Sequence, residues 1–108
     1  MTTTIDEAKL EQFMGSMVGH MTGGALCFSI WLGDELGLYR ALADSGPVTA
    51  ETLAAKTGTN ARLVREWLDG QAAGHLIDYD AEAKQNSLSA EGAAALADDS
   101  SPVSSHEA

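Results

Sequence analysis

The sequence predicts a mainly α-helical domain with a small β-hairpin, a winged helix-turn-helix preceded by N-terminal helices. Three observations carry that prediction. Alanine occurs eighteen times in 108 residues and proline only at Pro47 and Pro102, a balance that favours helix over sheet. Residues 49–73 hold two short amphipathic patterns joined at Gly58, the signature of a helix-turn-helix. Two short strand-like runs around a polar turn follow directly, where a wing belongs. The length suits one domain and not two.

Residues 5–36 carry the first periodic signal. Leu10, Met14, Met17, Met21, Gly24, Phe28 and Trp31 follow a 4-3-4-3-4-3 spacing, a heptad-like stripe on one helical face. Gly15, Gly19 and Gly23 recur every fourth residue on another side, and each costs a helix roughly 1 kcal/mol relative to alanine. Thr22-Gly23-Gly24 is therefore expected to break the segment into two helices. The stripe has two readings, core of its own domain or contact with a second subunit. It is long for so small a domain to cover.

Residues 34–45, DELGLYRALADS, read as a short helix with Leu36, Leu38, Tyr39 and Leu42 on its apolar side, ended by Ser45-Gly46-Pro47. Thr49 can cap the next helix, whose inner side is Leu53 and Ala54, with Glu51 at the positive end of the helix dipole. After the turn at Gly58, Thr59 or Asn60 caps a helix with Leu63, Val64, Trp67, Leu68 and Ala72 spaced for one face, stopped by Gly74. The expected core is Leu53, Leu63, Val64, Trp67, Leu68, Leu76 and Ile77. Residues 76–79 and 84–88 form the expected hairpin around 80–83. Ser89 caps a last helix from Ala90 to about Ala97. This places the domain at 1–97, with a disordered polar tail at 98–108.

Composition narrows the function. Six Lys and Arg against sixteen Asp and Glu give a net charge of −10, which opposes nucleic acid and anionic membranes. From Gln12 to Gly33 no residue is charged, yet between Met14 and Gly33 only 11 of 20 are apolar, so a membrane span is not expected. The N-terminus lacks the basic start and apolar run of a signal peptide. The single cysteine, Cys27, fits a reducing, cytoplasmic setting and reads as a small core residue. His20, His75 and His106 are too scattered for a zinc site, and Asp78, Asp80 and Glu82 lack calcium-loop spacing. His75 reads as a partly exposed structural residue. No catalytic, cofactor-binding or metal-binding residue is identified. A nucleotide loop of the G-x-G-x-x-G type is missing, and Gly33-Asp34-Glu35-Leu36-Gly37 lacks its middle glycine and its strand.

The helix-turn-helix could offer Arg62 and Arg65 to DNA, but residues 49–75 sum to zero charge and residues 76–88 to −2. Glu66 and Asp69 on the same helix could pair with those arginines.

At LGDELGLYRAL, PVTAETLAAKTGTNARLVREWLDGQAAGHLIDYD and LSAEGAAALADDSSPV, the chain resembles the N-terminal winged-helix domain of a family of bacterial S-adenosylmethionine-dependent methyltransferases. Leu36-Gly37-Leu38-Tyr39, Arg65-Glu66-Trp67-Leu68 and Ala72-Ala73-Gly74 are its more specific parts, and it covers about residues 5–103. The resemblance implies homodimer formation, here through Leu10, Met14, Met17, Met21, Phe28 and Trp31, and a cover over a substrate pocket. It implies that S-adenosylmethionine binds a following Rossmann-like domain with no counterpart in these 108 residues. An excised piece and a stand-alone relative without the enzyme both fit. Two rival functions stand beside this one: a winged-helix regulator reading DNA through Arg62 and Arg65, and a small-molecule binder walled by the Met, Phe28 and Trp31 surface.

Overall fold

In a computed structural model that describes residues 3–98, the chain forms five helices and one hairpin. The elements are α1 (Glu7–Glu35), α2 (Leu38–Ser45), α3 (Ala50–Thr57), α4 (Ala61–Ala73), β1 (Asp78–Asp80), β2 (Gln85–Ser87) and α5 (Ala90–Leu96). The tail expected at 98–108 lies outside the described residues from 99 onward.

α1 corrects the expected break at Thr22-Gly23-Gly24, because it runs unbroken for 29 residues. Asp6 caps it, its Oδ1 accepting from the amides of Ala8 and Lys9 at 3.0 and 3.2 Å. Glycine lowers helix stability without breaking the hydrogen-bond ladder, and only proline or a positive φ would end it here. The break falls instead at Gly37, where φ is 72°. A left-handed residue is cheap only for glycine, so the chain turns there and α2 starts at Leu38 rather than at Asp34. Leu36, left in the turn, is 43% exposed and does not join the α2 face.

The helix-turn-helix forms as the sequence predicts. Thr49 Oγ1 accepts from Thr52 N at 3.2 Å to cap α3, which ends at Gly58. Of the two candidate caps for α4, Asn60 serves, accepting from Arg62 N and Leu63 N at 3.0 and 3.2 Å. β1 and β2 pair antiparallel, with Tyr79 opposite Asn86; β2 lies one residue inside its predicted run at each end, whereas β1 starts two residues late and takes Asp80 from the predicted turn. Asp80 Oδ1 tightens the turn by accepting from Glu82 N and Ala83 N. Asn86 and Val48 exchange two backbone hydrogen bonds, at 2.7 and 2.9 Å, which ties the wing to the α2–α3 linker. Ser89 caps α5 through Gly92 N.

The core is Leu38, Tyr39, Leu42, Leu53, Val64, Trp67, Leu68 and Ile77, with Val48, Ala50, Ala54 and Leu96 around them. Each large aliphatic side chain buried there contributes roughly 1.5–3 kcal/mol. Two expected core residues are corrected. Leu63 is 63% exposed and Leu76 is half-buried. α4 buries Val64, Trp67, Leu68 and Gln71, and Leu63 stands about 100° around the helix from Val64, outside that arc.

The radius of gyration is 17.6 Å, against about 13 Å for a compact chain of this length. The excess comes from α1. Its C-terminal part packs on α2 and α4, while its first four turns extend past the body.

Candidate functional site

α1 carries two faces with opposite fates. The inner face holds Leu26, Ser29 and Gly33, which the spacing puts on one side of the helix. Trp67 Nε1 donates to the Ser29 carbonyl at 2.9 Å, and Gln71 Nε2 donates to Ser29 Oγ at 2.9 Å. Tyr39 OH donates to Gln71 Oε1 at 2.5 Å, so one chain of hydrogen bonds, buried at Tyr39 and half-buried at Ser29, links α2, α4 and α1. Burial pushes the Tyr39 hydroxyl well above its ordinary range, and the Asp34 charge adds to the rise. Gly33 allows the helix to come this close. A Cβ there would stand 2.5 Å from Trp67 Cζ2 and 2.7 Å from Tyr39 Cε2.

The outer face carries the stripe read from the sequence. Leu10, Met14, Met17, Met21, Phe28 and Trp31 are all exposed, by between 39% and 66%. Of the two readings of the stripe, its own domain's core takes none of these side chains. Phe28 and Trp31 stack with ring centroids 5.8 Å apart, making one aromatic platform at the body end. Phe13 and Val18 widen the stripe and are 68% and 52% exposed. They flank it at the next helical step, a signal that strict heptad spacing passes over. Met residues at the far end and aromatics at the near end give the stripe a chemical direction.

Cys27 is corrected: it is exposed on α1, since the helix turns it away from the α4 contact. His75 is exposed and takes a left-handed φ of 61° just after the α4 stop at Gly74. Arg62 and Arg65 are both exposed on α4, at the helix-turn-helix. Arg65 pairs with Glu51 of α3, not with Glu66 or Asp69 of its own helix. The Glu51 carboxyl is held below the usual carboxylate range, first by its own backbone amide and then by the Arg65 charge. Among the described residues no group of His, Cys, Asp and Glu could hold a metal ion. No helix among them is long and apolar enough to cross a membrane.

Two concave surfaces involve the apolar residues of α1 nearest the stripe. An apolar groove of about 320 Å³ opens between α1, α2 and α4, walled by Leu32, Leu36, Leu38, Leu63, Val64 and Trp67. Trp31 lines a shallower one of about 310 Å³ with Gly23, Leu26, Cys27 and Ile30. The Met side chains of the stripe and Phe28 line neither.

A family model of Rv2258c-like winged helix-turn-helix domains matches residues 24–98. The chain belongs to that family. This Rv2258c-like domain also superimposes on solved methyltransferase structures. The mitomycin 7-O-methyltransferase MmcR matches with a TM-score of 0.78 at 26% identity, over 91% of this chain and 29% of that one. PigF, solved with SAH, matches with a TM-score of 0.70 at 21% identity, over 82% and 28%. Human N-acetylserotonin methyltransferase, solved with SAM, matches with a TM-score of 0.69 at 19% identity, over 96% and 28%. The Rv2258c-like domain thus spans less than a third of the length of each of these three enzymes. The resemblance to a winged-helix domain of methyltransferases holds. A search of curated proteins finds no match.

Proposed function

We propose that this chain is an accessory homodimerisation and substrate-capping domain of a methyltransferase-type protein, without methyl-transfer activity of its own. One observation carries the reading: the outer face of α1 leaves eight large apolar side chains, Leu10, Phe13, Met14, Met17, Val18, Met21, Phe28 and Trp31, in water. A monomer rarely keeps a continuous apolar face of that length exposed, and a second copy is the nearest cover of matching chemistry. Eight side chains left 39% to 68% exposed amount to several hundred Å². That is the scale of the ~800 Å² each partner gives a standard interface. The apolar groove between α1, α2 and α4 supports the capping role, since an apolar wall next to an interface suits the lid of a pocket in another domain. S-adenosylmethionine, in this reading, is held by a separate catalytic domain. The pairing of Arg65 with Glu51 weighs against the DNA-reading alternative, because it occupies one of the two basic side chains that would meet phosphate or bases.

Sedimentation tests the reading. The chain is expected to be a dimer at about 100 μM, since a functional dimer assembles well below that concentration. Met17→Glu with Met21→Glu puts two carboxylates in the stripe and is expected to give monomers that keep their helical circular dichroism. A monomeric unmodified chain at that concentration overturns the reading.

A further inference from the structure

We propose that α1 pairs antiparallel with α1 of a second copy, about a midpoint between Thr22 and Gly23, so that Met21 of each copy fills the space over Gly24 of the other. This inference rests on the dimer reading above and adds the direction and offset of the pair.

Volume along the stripe decides direction. The stripe is bulky at Met14, Met17 and Met21, empty at Gly24, and bulky again at Phe28 and Trp31. No atom outside α1's own backbone and the neighbouring residues comes within 4 Å of where a Cβ on Gly24 would stand, so the gap is real and open. A parallel pair in step would set Gly24 against Gly24, between a layer of two methionines and a layer of two phenylalanines. The facing atoms in that layer would lose their contacts outright. Turning one helix end for end about the stated midpoint removes the void. Met21 then faces Gly24, Met17 faces Phe28, and Met14 faces Trp31. Large meets small at the centre, and the thioethers meet the aromatic platform toward both ends, a favourable pairing of sulfur with ring.

Charge allows either direction. The midpoint between Thr22 and Gly23 is also the midpoint of the uncharged span Gln12–Gly33, so that span lies against itself, as it would in a parallel pair in step, and encloses no ionised side chain. Its paired length is about 33 Å. Asp6, Glu7, Lys9 and Glu11 sum to −2 at one end of α1 and Asp34 with Glu35 to −2 at the other, so the ends repel equally in either direction and volume alone decides. The body packs on α1 at Leu26, Ser29 and Gly33 and reaches the edge of the stripe at Leu32, leaving Phe28 and Trp31 exposed.

Two measurements test the pairing. Gly24→Leu closes the gap, raises helix propensity and is expected to weaken the dimer at least about tenfold, with Met21→Ala added to it restoring association. A Gly24→Leu dimer as tight as the parent or tighter overturns the antiparallel arrangement. In a Cys27→Ser background, Met14→Cys mixed with Trp31→Cys is expected to join through a short thiol cross-linker. Met14→Cys alone is not, its two copies standing about 25 Å apart along the pair. Cross-linking of Met14→Cys to itself, without the mixed product, overturns the proposal while leaving the dimer reading in place. A monomer in sedimentation overturns both.

Discussion

Gly33 and Gly19 lie on the same helix and have opposite surroundings. Alanine at Gly33 would push its methyl group into Trp67 and Tyr39 at the α1–body contact. Overpacking of this kind costs typically 1–3 kcal/mol, more than the ~1 kcal/mol the helix gains from losing a glycine. Gly33→Ala is therefore expected to lower the urea midpoint. Gly19→Ala meets nothing within 4 Å and is expected to raise it, by an amount worth roughly 0.5–1 kcal/mol. A stabilised Gly33→Ala would mean that α1 does not sit against Trp67 as described. Sequence reading saw glycine in both places but not this difference. Spacing tells which residues share a side of a helix, and only the packed structure tells which side meets the body. The same limit hid Gln71, which is fully buried in a run that periodicity assigned to Ala72. A glutamine reads as surface until its two hydrogen-bonding partners, Tyr39 and Ser29, are seen.

Three helices meet in the Tyr39–Gln71–Ser29 chain, and its pH dependence has a definite sign. The Tyr39 hydroxyl keeps its proton in the folded state above the pH at which it loses it in the unfolded chain. Its contribution is whole below the unfolded value of about 10 and is lost as pH rises beyond it. Stability of the parent chain is thus expected to fall between about pH 9 and pH 11 more steeply than that of Tyr39→Phe. At neutral pH the variant is expected to be weaker by about 1–3 kcal/mol, because Gln71 Oε1 loses its donor in a buried site. Denaturation curves at several pH values check both; equal slopes for the two proteins would refute the assignment. At this scale the sequence was most informative where a cap or turn residue acts locally. Asn60, Thr49, Ser89 and Gly58 all serve where their chemistry placed them. It misled at Thr22-Gly23-Gly24, where propensity argued for a break. Ladder continuity, fixed at one end by Asp6 and at the other by the body, kept the helix whole.

For the molecule as a whole, shape invites one function and charge opposes it. A winged helix-turn-helix is a common reader of DNA, yet this one carries a net charge of −10 and has Arg65 tied to Glu51. No complex with random genomic DNA fragments is expected in mobility-shift assays at physiological salt, where affinity should be weaker than about 10⁻⁴ M. A discrete, salt-resistant complex lost in an Arg62→Ala, Arg65→Ala variant would reverse that conclusion. Fold class was legible from the sequence because helix caps, the Gly58 turn and the hairpin are local signals, and the family through the resemblance carried by Leu36-Gly37-Leu38-Tyr39, Arg65-Glu66-Trp67-Leu68 and Ala72-Ala73-Gly74. The exposure of the stripe was not, since a heptad pattern looks the same whether it covers its own core or waits for another chain.

The unbroken backbone of α1 has a consequence for the phase of the stripe. Because no hinge intervenes at Thr22–Gly24, the azimuth of Leu10 is locked to that of Trp31 through the helix ladder. One residue inserted between Met21 and Ala25 would rotate everything upstream by about 100° relative to the body and split the stripe into two patches on different sides. Seven inserted residues would bring the patches back to within about 20° of alignment, and the protruding arm would be two turns longer. The arm therefore behaves as a vernier, tolerant of length in whole heptads and intolerant of single steps.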